Sequence, residues 1–297
     1  MTIRDIVVGL DGSTESDAAL RWAAHEAQRH GARLTVLHAH DPVQHAYDTP
    51  LEEVYERGLV HIAKVIVDSA VTEVRSLEPT VWVHGETTST AAAAALIRAS
   101  GTGAMVVVGS RGRGGFTGLL LGSVSQHVAT HAPGPVVVVR ARPWQADGPV
   151  VVGVDESDGT GHALDVAFEE AALRDAGIVV LHAYLPDVRT WGLDLLPEVE
   201  DEQVRRTIEL DRLNDIVEPW RKRFPAVDVE VAAVDGQAAA RLIDASATAR
   251  LMVVGSRGRG GFTGLLLGSV GLQLLHHAGC PVLIARDSSI GPGGVAR

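Results

Sequence analysis

One glycine-rich stretch that also carries arginine and serine, VVGSRGRGGFTGLLLGSV, stands at 107–124 and again, without any difference, at 253–270. Each copy begins with an apolar run typical of a buried strand and ends in Gly-Ser-Val, which favours the start of a helix. Glycines let backbone N–H groups approach an anion closely, and the free N–H groups of a helix N-terminus favour phosphate. The segment therefore predicts a loop and a helix start that together bind a polyphosphate.

The spacing Gly109-x2-Gly112-x9-Gly122-Ser123 separates this segment from other phosphate and nucleophile motifs. A P-loop needs a lysine directly before the final serine, where this chain has Gly122. The dinucleotide fingerprint G-x-G-x-x-G follows a first strand, whereas this loop follows a fourth strand and has Thr117 at the last glycine position. The G-x-S-x-G of a nucleophile elbow is missing as well. A flexible linker between strand and helix is the structural alternative, but it does not explain the fixed spacing in both copies.

The repeat extends over the whole chain and divides it into two halves. DIVVGLDGS at 5–13 matches PVVVGVDES at 149–157, which aligns Asp11 with Asp155, and APGPVVVVRAR at 132–142 matches AGCPVLIARDS at 278–288. The sequences that follow the second strand of each half have diverged strongly, so the unchanged glycine segment indicates a requirement and not recent duplication alone. We expect one domain at 1–141, a linker at 142–148, a second domain at 149–288 and a flexible tail at 289–297.

Short apolar runs alternate with helical patterns inside each half. The first half predicts strands at 3–10, 33–39, 80–84, 104–109 and 135–140, with helices at 13–30, 51–77, 87–100 and from 123 to just before 133. The second half predicts strands at 149–154, 178–183, 227–234, 251–255 and 281–285. This alternation predicts an α/β fold of two tandem Rossmann-like, open, parallel five-stranded sheets with helices on both faces. The fifth strand of each half is expected at a sheet edge, where the two could pair within one chain as a pseudo-dimer.

The glycine–serine frame, together with the VVGxDxS pattern at the first strand, resembles the ATP-binding branch of the universal stress protein family. The resemblance covers nearly the whole chain as a tandem pair of such domains. It implies that Asp11, with Gly9 close by, contacts the nucleoside, that Ala39 offers backbone groups to adenine, and that Val108 touches the base or ribose. It also implies that the loop and the helix start bind the phosphates, and that dimers form around the fifth strand.

The resemblance implies two competent ATP sites, either of which could also take Mg²⁺. The first would use Gly9, Asp11, Ala39, Val108, Gly109, Ser110, Arg111, Gly112, Arg113, Gly114, Gly115, Gly122, Ser123 and Val124. The second would use Gly153, Asp155, Ala183, Val254, Gly255, Ser256, Arg257, Gly258, Arg259, Gly260, Gly261, Gly268, Ser269 and Val270. Two roles stay open, because Asp11 also suits a helix N-cap and the loop arginines could be ordinary solvated charges.

The repeated segment contains neither a carboxylate nor a lysine, which favours binding ATP over hydrolysing it. We therefore expect a nucleotide-dependent regulator of stress response or growth control without a dedicated catalytic activity. Its unknown protein partner could be recognised by the divergent segments 41–58 and 185–202. A slow ATPase or phosphotransferase is the alternative, and a flavin or other nucleotide carrier is a third. A further homodimer also stays open.

Histidines and a cysteine could in principle form a nucleophilic pair, a metal site or a reactive thiol. Comparison of the two halves argues against the nucleophilic pair. His127 lies four residues after Ser123 and invites a nucleophilic pair, but the second copy has Gln273 there. His127 and His131 share a helix face without a third metal ligand, so we expect surface or packing residues. Cys280 is expected to be an inert buried thiol.

Composition excludes some classes of protein. The formal net charge of −11 gives no support for a nucleic-acid or anionic-membrane partner. A single cysteine fits a reducing compartment, and the N-terminus leads directly into a strand without the pattern of a signal peptide. We therefore expect a cytoplasmic protein.

Overall fold

The computed structural model describes residues 3–40, 50–113, 120–142, 147–157, 159–185, 202–258 and 266–286, excluding the side chains of 50–56. The first half contains β1 (Asp5–Leu10), α1 (Thr14–His30), β2 (Arg33–Ala39), α2 (Pro50–Leu77), β3 (Val83–Thr88), α3 (Ala92–Ser100), β4 (Met105–Gly109), α4 (Ser123–His131) and β5 (Val136–Val139). The second half contains β6 (Val150–Gly153), α5 (Thr160–Leu173), β7 (Ile178–Tyr184), α6 (Glu202–Arg223), β8 (Val229–Asp235), α7 (Ala238–Ser246), β9 (Leu251–Gly255), α8 (Ser269–His277) and β10 (Val282–Ala285).

The ten strands form one open sheet in the order β3-β2-β1-β4-β5-β10-β9-β6-β7-β8. Among the described strands, all neighbours within a half are parallel, and only β5 and β10 pair in the antiparallel sense, with Val137 opposite Leu283. The predicted α/β fold is confirmed, and so is the pairing of the two fifth strands within one chain. That pairing joins the two five-stranded sheets into one.

Apolar layers cover both faces of this sheet. Consecutive residues of β1 point to opposite sides, so Val8 packs in the layer with α1, α2, α5 and α6, while Val7 packs in the layer with α3, α4, α7 and α8. Burial on both faces is why the central strands are almost continuously apolar. None of the described helices is both long and apolar enough to cross a membrane.

The predicted third strand and third helix of the first half begin too early. β3 runs over Val83–Thr88 and α3 starts only at Ala92. β3 lies at the edge of the sheet, where Glu86 and Thr87 remain exposed. Because these residues are polar, the apolar pattern did not indicate a strand over them. Residues 143–146 of the predicted linker and the predicted tail at 289–297 lie outside the described residues.

Two arginines link the halves across the β5–β10 pair in a nearly two-fold arrangement. Arg140 donates from Nη2 to the carbonyl of Leu275 at 2.6 Å, and Arg286 donates from Nη2 to the carbonyl of Ala129 at 2.5 Å. The donors occupy equivalent positions of the repeat, as do the acceptors. Each half therefore places a cation on the last turn of a helix of the other half, where carbonyl groups lack helical partners.

A second link between the halves is a buried group of charged residues from α1 and α5, here called the ion cluster: Glu26, His30, Glu170 and Arg174. Arg174 donates to both carboxylates, reaching Glu26 Oε2 from Nη2 at 2.6 Å. His30 Nε2 lies 3.1 Å from Glu26 Oε1 and 3.3 Å from Glu170 Oε1, within ion-pairing distance but without the angles of a hydrogen bond. Repeat symmetry pairs Glu26 with Glu170 and His30 with Arg174.

The charges of the ion cluster balance one another. Burial alone would lower the pKa of His30, but contact with Glu170 and Glu26 raises it to about 9. Burial alone would raise the pKa of Glu170, but Arg174 and His30 lower it to about 2. At neutral pH two anions therefore face two cations, and the cluster needs no further ion to neutralise it.

Candidate functional site

A cavity of about 430 Å³ opens at the carboxyl ends of β1, β2 and β4, beside the start of α4. Its volume lies in the range usual for small-molecule sites. Ligands of open α/β sheets bind at this end of the strands, where the strand order reverses. The predicted residues that line it are Gly9, Asp11, Ala39, Val108, Gly109, Arg111, Gly112, Gly122, Ser123 and Val124.

The second half has a cavity at the equivalent place, beside the start of α8. The predicted residues that line it are Gly153, Asp155, Ala183, Val254, Gly255, Arg257, Gly258, Gly268, Ser269 and Val270. Its volume of about 1110 Å³ is larger because it continues along α6, past Arg205, Ile208 and Glu209. No sequence signal marked these α6 residues.

Several predicted residues do not line the cavities. Ser110 is buried, and its carbonyl accepts the N–H of Gly122 at 2.8 Å, which closes the base of the loop. The carbonyl of Ser256 accepts the N–H of Gly268 at the same distance of 2.8 Å. Arg113 contacts Asp11 through its backbone and is not part of the cavity wall. The remaining predicted residues lie outside the described part of the chain: Gly114, Gly115, Arg259, Gly260 and Gly261.

The carboxylate of Asp11 anchors the loop. Its Oδ1 accepts the N–H of Ser13 at 3.0 Å, and its Oδ2 accepts the N–H of Arg113 at 2.7 Å. Burial would raise the pKa of Asp11, but these hydrogen bonds and those from the Ser13 and Ser16 side chains lower it. The N-cap of α1 is Ser13, whose Oγ accepts the N–H of Ser16, so Asp11 does not have that alternative role.

Each cavity ends at a helix N-terminus without a side-chain cap. Gly122 is the N-cap of α4 and Gly268 is the N-cap of α8, and neither helix start has a capping side-chain hydrogen bond. Ser123 is exposed at the first of these ends. Uncapped N–H groups and the helix dipole favour an anion at this place.

Part of the wall of each cavity is apolar. In the first half Leu37, Leu96 and Val108 contribute to this wall. A Cβ on Gly9 would lie 3.0 Å from Leu96 Cδ1, so glycine at this position lets α3 pack closely on β1. Leu96 and its counterpart Leu242 were not predicted from the sequence. Their equivalent positions in AAAALIRAS and AAARLIDAS were the available signal.

Arg111 forms an ion pair beside the first cavity. Its Nη2 lies 2.5 Å and its Nε 3.0 Å from Glu15 Oε1. Burial would raise the pKa of Glu15, but hydrogen bonds from Thr14 and Arg111 lower it. The guanidinium of Arg111 is therefore already paired with a carboxylate.

His127 and His131 are exposed on α4, in agreement with the expected surface position. The rings of His127 and His131 stack with centroids 4.1 Å apart, and the described residues place no third metal ligand beside them. His38 contacts the carbonyl of Leu10 through Nδ1 at 2.7 Å. Cys280 is buried, and burial raises its pKa to about 12, in agreement with an inert thiol.

Comparison with known proteins covers both halves. The model of the universal stress protein family matches residues 2–140 and 148–286. The chain is 37% identical to the universal stress protein Rv2623 of Mycobacterium tuberculosis, over 95% of this chain and 96% of that protein. A universal stress protein of Mycolicibacterium smegmatis is also 37% identical, over 95% and 96%. The crystal structure of a universal stress protein from Archaeoglobus fulgidus superposes with a TM-score of 0.69 at 18% identity, covering 95% of this chain and 98% of that chain.

Proposed function

Because this chain belongs to the universal stress protein family, we propose that it binds ATP in each half and acts in the cytoplasm as a nucleotide-dependent regulator of stress response or growth control. One observation carries the proposal. The same glycine–serine frame lines a cavity at the same place in both halves, and each cavity ends at an uncapped helix start.

The wall of each cavity combines apolar side chains with a helix N-terminus, which match the base and the phosphates of a nucleotide. The wall formed by Leu37, Leu96 and Val108 suits a flat base, and the N-terminus of α4 suits phosphates. Asp11 fixes the backbone of the loop between them through Arg113. The preference for adenine rests on the family resemblance.

The carboxylates near the loop favour binding over hydrolysis. Both oxygens of Asp11 accept backbone N–H groups, and Glu15 is paired with Arg111. Mg²⁺ that accompanies ATP would therefore be bound mainly by phosphate oxygens and water, as is usual for this ion. Phosphoryl transfer needs a residue that positions the nucleophile, and the described part of the loop offers no free carboxylate for that. A slow ATPase or phosphotransferase remains the second candidate.

Regulation requires that ATP bind with different affinity in the partner-free and partner-bound states. The divergent segments 41–58 and 185–202 follow β2 and β7, whose carboxyl ends lie at the two cavities, and we propose them as the partner-recognition surface. Residues 41–49 and 186–201 of these segments lie outside the described residues. The β5–β10 pairing already provides a pseudo-dimer, so a further homodimer would need another surface.

Two introduced negative charges at the helix starts test nucleotide binding. Val124 and Val270 line the cavities at the first turns of α4 and α8. A glutamate there suits the helix dipole but repels phosphate, so the double variant Val124→Glu/Val270→Glu should fold and lose ATP binding by at least about a hundredfold. Isothermal titration calorimetry measures this, with Val124→Gln/Val270→Gln as the matched control.

Wild-type protein that binds no ATP in calorimetry and copurifies with no adenine nucleotide would contradict the proposal. ATP binding that survives in the glutamate double variant would contradict the placement of the phosphates. A yellow protein with bound flavin would favour the carrier alternative. Rapid turnover of ATP, stimulated by an acceptor substrate, would favour the phosphotransferase.

A further inference from the structure

The identical loops of the two halves place equivalent arginines in different electrostatic surroundings. Arg111 and Arg257 occupy the same position of the repeated segment, and each lines the cavity of its own half. Arg111 is bound by Glu15, whose side chain is only 12% exposed and comes from the first turn of α1. Phosphate that contacts Arg111 must therefore compete with this ion pair.

The second half has no carboxylate at the position equivalent to Glu15. The position equivalent to Glu15 is Gly159, the N-cap of α5, which lines the second cavity. The nearby Glu156 is paired with Arg212 of α6. Within the described residues, Arg257 takes part in no ion pair.

The positive charge of Arg257 affects the pKa of Arg286. Burial first, and then the positive charge of Arg257, lower the pKa of Arg286 to about 10. Burial, Arg142 and then Arg111 likewise lower the pKa of Arg140, so this effect occurs in both halves. The halves differ in the ion pair that Arg111 forms with Glu15, because Arg257 has no such pair among the described residues.

We propose that the two halves bind polyphosphate unequally, with Arg257 contacting the phosphates in the second half and Arg111 retained by Glu15 in the first. The second half then binds nucleoside triphosphates more tightly. This inference rests on the proposed nucleotide function and adds a residue pair, Glu15 and Gly159, that sets the affinity of each site. Charge-assisted contacts of arginine with phosphate are strong and depend on geometry, so an arginine held elsewhere contributes little.

The difference in affinity between the two sites depends on the phosphates of the ligand and not on its nucleoside. ATP should distinguish the two sites most strongly, and adenosine should not distinguish them. The difference should also shrink at high salt, because screening weakens exposed charges.

Single-site proteins provide the test. Val270→Glu leaves the first site and Val124→Glu leaves the second, and calorimetry then measures ATP and adenosine on each full-length protein. We expect ATP to bind the second site about tenfold more tightly, with adenosine affinities within about twofold.

Exchanging the residue pair should exchange the affinities. Glu15→Ala in the first-site protein should strengthen ATP binding about tenfold, and Gly159→Glu in the second-site protein should weaken it by a similar factor. Gly159 can accept a side chain, since a Cβ there would lie 3.8 Å from Ser157 Oγ and 3.9 Å from the carbonyl oxygen of Arg257. Glu73→Ala is the matched control, because Glu73 also pairs with an arginine, Arg21, but lies on α2.

Equal ATP affinity at the two sites, or an unchanged affinity in Glu15→Ala, would overturn the inequality while leaving the proposed function intact. An equally large difference with adenosine would show that the arginines are not its cause and would also overturn it. Failure of both single-site proteins and of the wild type to bind ATP would instead remove the proposed function, and the inequality with it.

Discussion

At the scale of single residues, Asp11 acts on the site through the backbone. Its two oxygens accept the N–H groups of Ser13, two residues away, and of Arg113, 102 residues away. The equivalent Asp155 accepts the N–H of Ser157 at 3.0 Å, so the arrangement at the start of the helix is repeated. The aspartate therefore fixes where the loop N–H groups point, whichever part of a ligand it also touches.

Asp11→Asn should weaken ATP binding to the first half about tenfold. An amide has only one acceptor oxygen, so one of the two N–H groups would face an NH₂ donor and lose a charge-assisted hydrogen bond worth about 1.5–3 kcal/mol. Calorimetry on the Val270→Glu background measures only this site. Asp68→Asn, on the exposed side of α2, is the control. Unchanged affinity in Asp11→Asn would show that the loop position does not depend on the carboxylate.

At the scale of elements, the glycines that end β4 and β9 have different neighbours. A Cβ on Gly109 would lie 2.7 Å from the backbone carbonyl of Glu15, whereas a Cβ on Gly255 would have the carbonyl of Arg257 as its nearest neighbour, at 3.3 Å. Helix α1 thus begins closer to the end of β4 than α5 does to the end of β9. Gly109 is required for the packing of α1, so its substitution does not isolate a phosphate contact.

Gly109→Ala should therefore lower the free energy of unfolding by about 1–3 kcal/mol, and Gly255→Ala should lower it by less. The reason is that the methyl group would lie 2.7 Å from backbone atoms of Glu15, which cannot rotate away as a flexible side chain can. Urea denaturation of both variants without nucleotide measures the difference. A larger loss in Gly255→Ala would contradict this account of how α1 packs.

At the scale of the whole molecule, the ion cluster makes the contact between the halves depend on pH. The folded state raises the pKa of His30 from 6.5 to about 9, so this residue stabilises the folded protein fully below pH 6.5. The stabilisation is lost as the pH rises through 9, because neutral His30 no longer balances Glu26 and Glu170.

The free energy of unfolding should fall by on the order of 2 kcal/mol between pH 6.5 and pH 9.5, and His30→Gln should remove most of this slope. Urea denaturation across this pH range measures it. His61→Gln, at an exposed position of α2, controls for the removal of a histidine. Equal slopes in the wild type and His30→Gln would mean that His30 is not the group responsible.

Local patterns predicted much of this protein, because they depend on neighbouring residues. Apolar runs such as that of β4 and the glycine spacing from Gly109 to Gly122 are set by burial on both faces and by backbone approach. The same patterns failed at β3, where an edge strand with exposed polar residues carries little apolar signal.

The sequence by itself determined that two similar α/β halves exist, that each has a glycine loop before a helix, and that their fifth strands could pair. Only the tertiary structure decided which charges meet. Arg111 pairs with Glu15 from 96 residues away, and Arg174 pairs with Glu26 from 148 residues away. The physical reason is that an ion pair depends on the distance between side chains after the sheet has assembled, and no spacing along the chain encodes that distance.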